Sequence, residues 1–455
     1  MNLSYINSFF YSPSGDVNLG GSMQYYSLNG NSPKVTFAEA ALRGQAPDKG
    51  LYFPESVAQL PKVFINNIKQ YTKEEVGFTV MKPYVGDSLP NDVLEEIIKE
   101  TINFDFPLVP ITNNISSLEL FHGPTLAFKD VGARFMSRCL GYFNRNAYHH
   151  TTVLVATSGD TGGAVANGFL GVDGIDVVIL YPSGKVSKIQ ELQLTTLGKN
   201  IKAIEVNGTF DDCQAMVKQV FSDADLNNKL SLTSANSINV ARWLPQQLYY
   251  FLAYQQWQHD EPPVICVPSG NFGNICAGII ANISGLPVKH FLAACNANDV
   301  VPDYMKAGIY TPKQAIATVS NAMDVGNPSN FIRIIELFHQ QFDSLKSMFS
   351  SVSISDEITV DTIKRVYKEH NYTLDPHGAV AYYALEQYLK EGGKSLEKGI
   401  MLETAHPVKF PDTVEKAIGV EVAIPEEVKY LLYQQKQSIL MEASFEDLKE
   451  WLMNR

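Results

Sequence analysis

The chain has 455 residues, 45% of them hydrophobic, which is enough to bury a large core and points to two or three domains. A formal net charge of -12 argues against nucleic acid or an anionic membrane as the main partner, and no apolar run approaches the roughly 20 residues that span a bilayer. Cys139, Cys213, Cys266, Cys276 and Cys295 include no CxxC pair; an odd, scattered set fits reduced thiols in a cytoplasmic protein better than a disulfide frame or a zinc site.

Residues 1–22 are rich in Ser, Asn, Gly and Tyr and lack the basic end and apolar core of a signal peptide; they are set apart as an N-terminal arm, which reads equally as an extra ordered arm, an upstream start or a flexible leader. An N-terminal domain is expected over 23–105, an α/β catalytic region over 106–425 with a smaller lobe around 135–220, and a C-terminal helical segment over 426–455. Residues 152–155, Thr-Val-Leu-Val, predict a buried strand that runs into the glycine turn 156–163 and then an Ala/Val/Phe helix. Further on, 175–181 reads as a strand, 187–197 as a helix closed by Gly198, and 201–206 as a strand, with Asp211 as cap for a helix running to Ser222. The pattern repeats with strand 264–267, turn 268–274 and an apolar helix 275–283, and a last strand is expected at 399–402. Residues 426–453, polar with spaced apolar positions, predict terminal helices on the surface. Such alternation predicts a parallel sheet with helices on both faces and ligand sites at the carboxyl ends of the strands.

The chemistry concentrates in three places. In Leu120-Phe121-His122-Gly123-Pro124-Thr125-Leu126-Ala127-Phe128-Lys129-Asp130 a lone amine follows an apolar pair. An apolar wall lowers an amine's pKa and leaves more of it free to condense with an aldehyde, although a lysine on the exposed first turn of a helix is the simpler reading of any one such residue. The turn Ala156-Thr157-Ser158-Gly159-Asp160-Thr161-Gly162-Gly163 adds the hydroxyls of Ser158 and Thr161 to the unpaired N–H groups of a helix start, an anion site. The turn Pro268-Ser269-Gly270-Asn271-Phe272-Gly273-Asn274 does the same with glycines that permit close backbone approach. There is no GxxxxGK[ST], and GNFGN lacks the third glycine of the dinucleotide fingerprint.

HGPTLAFKD around Lys129, TSGDTGGAVA from Thr157, NSINVARWLPQ from Asn236, PSGNFGN from Pro268 and ETAHPVKF from Glu403 together resemble the threonine synthase family, as do VTFAEA from Val35 and DKGLYFP from Asp48. The resemblance runs from about Met23 to Pro411 and implies a pyridoxal 5'-phosphate enzyme of the tryptophan-synthase-β superfamily. Its fold would be α/β of fold type II: two parallel-sheet lobes with the active site between them, plus the N-terminal domain.

For the site, the resemblance implies that Lys129 is the Schiff-base lysine and proton carrier, that Gly270, Asn271, Phe272, Gly273 and Asn274 form the cofactor's phosphate cup, and that the Thr404 hydroxyl meets the pyridine nitrogen. Asp160 stands where many relatives of the superfamily carry a donor Asn to the phenolic oxygen. A carboxylate cannot donate unless protonated, so Asp160 is expected either to share a proton or water there or to face substrate. Ser158 and Thr161 would bind the substrate carboxylate, and Arg242, Lys185 or Lys188 the phosphate of O-phospho-L-homoserine. The implied reaction is removal of an α- and a β-proton, loss of phosphate from Cγ, reprotonation there, and addition of water at Cβ to give threonine. His122 and His406 flank the motifs and could line the pocket; His149 and His150 show no metal spacing, and no metal is assigned. The rivals are another lyase reaction on this scaffold, such as threonine or serine dehydration, and a ligand-binding protein without catalysis, which would have no need of the Lys129 amine. A small-molecule substrate and a monomer or small homo-oligomer complete the expectation.

Overall fold

The computed structural model describes residues 23–147, 150–391 and 396–455; the N-terminal arm and His149 lie outside them. Near its start, β1 (Tyr25–Ser27) and β2 (Tyr52–Pro54) pair antiparallel. Helix Phe37–Arg43 begins at a capping box, the Thr36 hydroxyl accepting from the Glu39 N–H while the Glu39 carboxylate accepts from the Thr36 N–H.

The remaining strands are β3 (Leu108–Pro110), β4 (Ile115–Glu119), β5 (Thr151–Ala156), β6 (Ile175–Pro182), β7 (Ile201–Asn207), β8 (Ser231–Ser234), β9 (Val264–Pro268), β10 (His290–Cys295), β11 (Phe349–Ser353), β12 (Gly399–Glu403) and β13 (Ile439–Glu442). They form two sheets, ordered β11-β10-β9-β12-β4-β3 and β13-β7-β6-β5-β8. Every pairing in them is parallel except β3 with β4.

Alternation along each strand sends side chains to two separate cores, as a sheet covered on both faces requires. In the larger sheet Val264, Cys266 and Met401 pack with Ala379, Val380 and Leu385 of helix Pro376–Lys390. Ile265, Val267 and Leu402 belong to the core on the opposite face, with Leu248, Ile275 and Ile279. In the smaller sheet Leu154, Val178 and Ile204 pack with Cys213 and Val217 of helix Phe210–Ser222 and with Leu448 and Leu452 of helix Phe445–Asn454. Val153, Val155 and Val177 join Phe135, Leu140 and Val165 on the other face.

Two expectations are corrected. Thr209, not Asp211, caps helix Phe210–Ser222: its hydroxyl accepts from the Asp212 N–H, and the Asp212 carboxylate accepts from the Thr209 N–H, so Asp211 lies one residue inside the first turn. The C-terminal segment is not helical throughout. Its residues 439–442 pair with β7 as an edge strand of the smaller sheet, and only then does the last helix begin.

Candidate active site

The turns that follow β4, β5, β8, β9 and β12 converge on one cavity of about 1070 Å³, whose lining includes Lys129, Ser158, Thr161, Asn236, Arg242, Thr404 and the run Gly270 to Asn274. The carboxyl ends of parallel strands are where such a site is expected. Lys129 opens the helix Lys129–Asn144. The loop before it is tied to the Thr404 segment: the Phe128 N–H donates to the Thr404 carbonyl (2.9 Å), the His406 N–H to the Leu126 carbonyl (3.0 Å), and Ala127 bridges to Ala405. Leu126 sits at φ 59°, a left-handed conformation uncommon for a residue with a branched side chain, held here by the surrounding pairing.

Lys129 lines the cavity. Burial, and the nearby charges of Lys409 and Arg242, lower its pKa to about 8, against the opposing pull of Asp160. The expectation from the apolar approach to Lys129 thus has its physical cause in the fold. Arg242 is also buried; its Nη1 donates to the Lys129 carbonyl (3.2 Å) and its Nε has no partner. A Cβ on Gly132, one turn along the lysine helix, would lie 2.3 Å from the Arg242 carbonyl, so glycine there lets the two segments meet.

The cup from Gly270 to Asn274 begins the 11-residue helix Gly273–Ile283, whose N-terminus has no side-chain cap. Phe272 stands at φ 62° as the N-cap residue. The amide Nδ2 of Asn274 is buried without an acceptor, while the Tyr250 hydroxyl lies 2.8 Å from its Oδ1 and 2.9 Å from its carbonyl. Asn271 Oδ1 accepts from the N–H and the hydroxyl of Ser329, both at 2.8 Å. Unpaired N–H donors at a helix start are what a phosphate needs. Together with the shielded amine, these residues fit pyridoxal phosphate.

At the second turn Thr157, not Ser158 or Thr161, is used internally: its hydroxyl accepts from the N–H groups of Gly159 (2.9 Å) and Gly162 (2.8 Å). Ser158 and Thr161 are left facing the cavity. Gly159 has φ 135°, and a Cβ there would lie 2.5 Å from the Gln190 side chain.

Asp160 is buried and paired. Its Oδ1 accepts from Lys409 Nζ (2.7 Å) and Gln190 Nε2 (2.9 Å), and both Asp160 and Lys409 are buried. Burial alone would raise its pKa, but the charges of Lys409 and Lys129 and these two bonds outweigh it and hold the carboxylate ionised.

Lys185 and Lys188 are exposed and do not line the cavity; they follow a turn at Gly184, with φ 66°. The cavity cations besides Lys129 and Arg242 are Arg43, Lys49, Lys218 and Lys313. Lys313 is spent on Asp299 (2.6 Å) and Asp303 (2.5 Å). His122 pairs with Glu119 at 2.7 Å, and His406 accepts from the Val408 N–H through Nδ1 (3.1 Å); neither lines the cavity. Among the described residues no group of His, Cys, Asp and Glu could hold a metal ion.

Sequence reasoning missed Lys409 and His377. His377 reaches the cavity with its Nδ1 2.6 Å from Asp375, and its Nε2 accepts from the Ala322 N–H (3.1 Å) of the loop that walls the cup. Lys409 stood in the ETAHPVKF run, yet nothing local told that it turns inward. His377 sits in Asp-Pro-His-Gly, which by itself reads as a helix cap.

Comparison with known proteins gives the site its context. Residues 116–401 match the model of pyridoxal-phosphate dependent enzymes, residues 24–102 that of the threonine synthase N terminus, and residues 378–452 that of the threonine synthase C-terminal region. A threonine synthase of Haemophilus influenzae is 45% identical over 406 residues, covering 89% of this chain and 93% of the relative. The chain belongs to the threonine synthase family. The Escherichia coli threonine synthase structure superposes with a TM-score of 0.88 at 41% identity, covering 95% of this chain and all of that one. The threonine synthase of Brucella melitensis, solved with pyridoxal phosphate bound, reaches 0.89 at 34% identity over 95% of this chain and 99% of that one. As a member of the threonine synthase family the chain is a pyridoxal-phosphate-dependent lyase of threonine biosynthesis, of fold type II. A plant threonine deaminase, at 15% identity and a TM-score of 0.52, shares the fold alone.

Proposed function

We propose that the cavity takes O-phospho-L-homoserine and water and returns L-threonine and phosphate. One observation carries this reading: a shielded amine of lowered pKa stands between two separate anion cradles, in a cavity whose wall holds further cations. A substrate bearing a carboxylate and a phosphate, beside a cofactor bearing its own phosphate, needs that many anion sites.

The residues divide accordingly. Lys129 and the cup of Gly270, Asn271, Phe272, Gly273 and Asn274 would hold the cofactor, with the Thr404 hydroxyl toward the pyridine nitrogen. Ser158 and Thr161 would donate to the substrate carboxylate. Arg242, with an unspent Nε, and Lys49 and Lys218, which make no ion pair among the described residues, would receive the substrate phosphate in place of Lys185 and Lys188. When bound, pyridoxal phosphate supplies the electron sink for carbanion chemistry. Lys129 Nζ would move the protons: it takes one from Cα and one from Cβ and, once phosphate has left Cγ, returns one there; water then adds its hydroxyl at Cβ, Cα regains the other proton, and the proton released by water leaves with the phosphate. An amine with a pKa of about 8 exchanges protons in both directions near neutral pH.

No helix among the described residues is long and apolar enough to cross a membrane. The five cysteines are free and buried, which supports placing the enzyme in the cytoplasm. The test of the substrate is competition between amino acids. Turnover of O-phospho-L-homoserine with none of L-homoserine supports the phosphate site, whereas conversion of L-threonine or L-serine to 2-oxo acids as the faster reaction would transfer the site to a dehydratase.

A further inference from the structure

Asp160 follows a strand of the smaller sheet and Lys409 a strand of the larger one, so their contact of 2.7 Å crosses the two lobes. It is also closed. Lys409 has no exposed surface, and its Nζ makes a second bond to the Thr125 carbonyl (2.7 Å) in the loop that carries Lys129. Gln190 completes the set in one orientation, its Oε1 accepting from the Ser187 N–H (3.1 Å) while Nε2 donates to Asp160 (2.9 Å). Lys129, though close enough to feel the Asp160 charge, forms no ion pair with it.

We propose that Lys409 is a positioning residue for the reactive amine: by holding Asp160 in a closed and internally neutral ion pair, it prevents that carboxylate from capturing Lys129 as an ammonium. A buried carboxylate without a dedicated cation would draw on the nearest one, and here that is Lys129. A buried pair with its own hydrogen bonds has no such demand. The charged groups that act on Lys129 are Asp160, Lys409 and Arg242, and those near Lys409 include Asp130 and His406. Asp130 is occupied by both the N–H and the hydroxyl of Thr125 (2.9 and 2.6 Å), and His406 is neutral at physiological pH because burial lowers its pKa to about 4. With Asp160 and Lys409 cancelling, the charge left acting on the amine is that of Arg242, which itself feels Asp130. An aspartate can then occupy this position without disabling the lysine.

The inference rests on Lys129 as the reactive amine, but its test needs neither substrate nor turnover. In the cofactor-free protein, Lys129 is acylated with acetic anhydride from neutral to alkaline pH and its peptide is quantified by mass spectrometry. Lys409→Met should raise the pH midpoint by about one unit, a roughly tenfold slower labelling below the midpoint, since an opposite charge within a few ångströms shifts a pKa by that order. Asp160→Asn should move the midpoint down, and Asp160→Asn with Lys409→Met should return it close to wild type. Single variants that shift the midpoint in the same direction, or a double variant that fails to return, would overturn the proposal. Should Lys409→Met not fold, the double variant is compared with Asp160→Asn: removing Lys409 in that background must raise the midpoint, and an unchanged midpoint defeats the proposal.

Discussion

Substituting the two cup glycines separates a packing role from a binding role. A Cβ on Gly270 would lie 2.5 Å from Met323 Cα and 3.1 Å from the Ala322 carbonyl, both backbone atoms. That loop is fixed by the Ala322 N–H bond to His377. Ordinary contact begins near 3.4 Å, so Gly270→Ala must displace the cup or the loop by about 1 Å. Overpacking of this kind costs about 1–3 kcal/mol. A Cβ on Gly273 would meet nothing closer than 3.4 Å, and alanine in a helix is favoured over glycine by up to about 1 kcal/mol. Thermal melts of the cofactor-free protein should therefore show Gly270→Ala destabilised and Gly273→Ala at or above wild type. Repeating the melts with pyridoxal phosphate reads the affinity through the stabilisation that ligand binding adds. Gly270→Ala should gain less from the cofactor than wild type does, its affinity falling on the order of tenfold for each 1.4 kcal/mol of misplacement. Gly270→Ala melting and binding like wild type would refute the claim that this loop shapes the phosphate cup.

The capture of pyridoxal phosphate by the cofactor-free protein should accelerate with pH up to a plateau above about 8, the lowered pKa of Lys129, because only the free amine reacts; stopped-flow absorbance that kept rising toward the ordinary lysine range would contradict the shielding. Arg242→Ala should lower kcat/KM for O-phospho-L-homoserine by roughly ten- to a hundredfold, the value of one charged hydrogen bond, with cofactor affinity changed less; an equal loss of both would remove Arg242 from the substrate phosphate. Lys185→Ala combined with Lys188→Ala should leave kcat/KM within about twofold, as expected of solvated side chains, and a tenfold loss would return them to the site.

The parts of this structure that local patterning encodes were legible in the sequence. Strands expected at 152–155, 175–181, 201–206 and 264–267 appear as Thr151–Ala156, Ile175–Pro182, Ile201–Asn207 and Val264–Pro268, because β-branched runs between glycine turns have few other ways to fold. The turns after them brought Lys129, Ser158, Thr161, Arg242, Thr404 and the cup to one cavity. What escaped depends on distance along the chain. The pairing of β13 with β7 joins residues more than two hundred positions apart, and Ile439-Leu440-Met441 carries no alternation to announce it. Lys409 and Asp160 meet only once both lobes are folded. Charge alone points to Lys185 and Lys188, and charge does not reveal which way a loop points. The run Thr-Phe-Asp-Asp contains the capping box that the fold uses, with Thr209 rather than Asp211 as its first residue.

The most direct test of the central claim is to supply the purified protein with pyridoxal phosphate and O-phospho-L-homoserine and to follow threonine and phosphate together. Equal amounts of the two, abolished by Lys129→Ala, are the predicted result. Phosphate released without threonine, or undiminished turnover by Lys129→Ala, would contradict it.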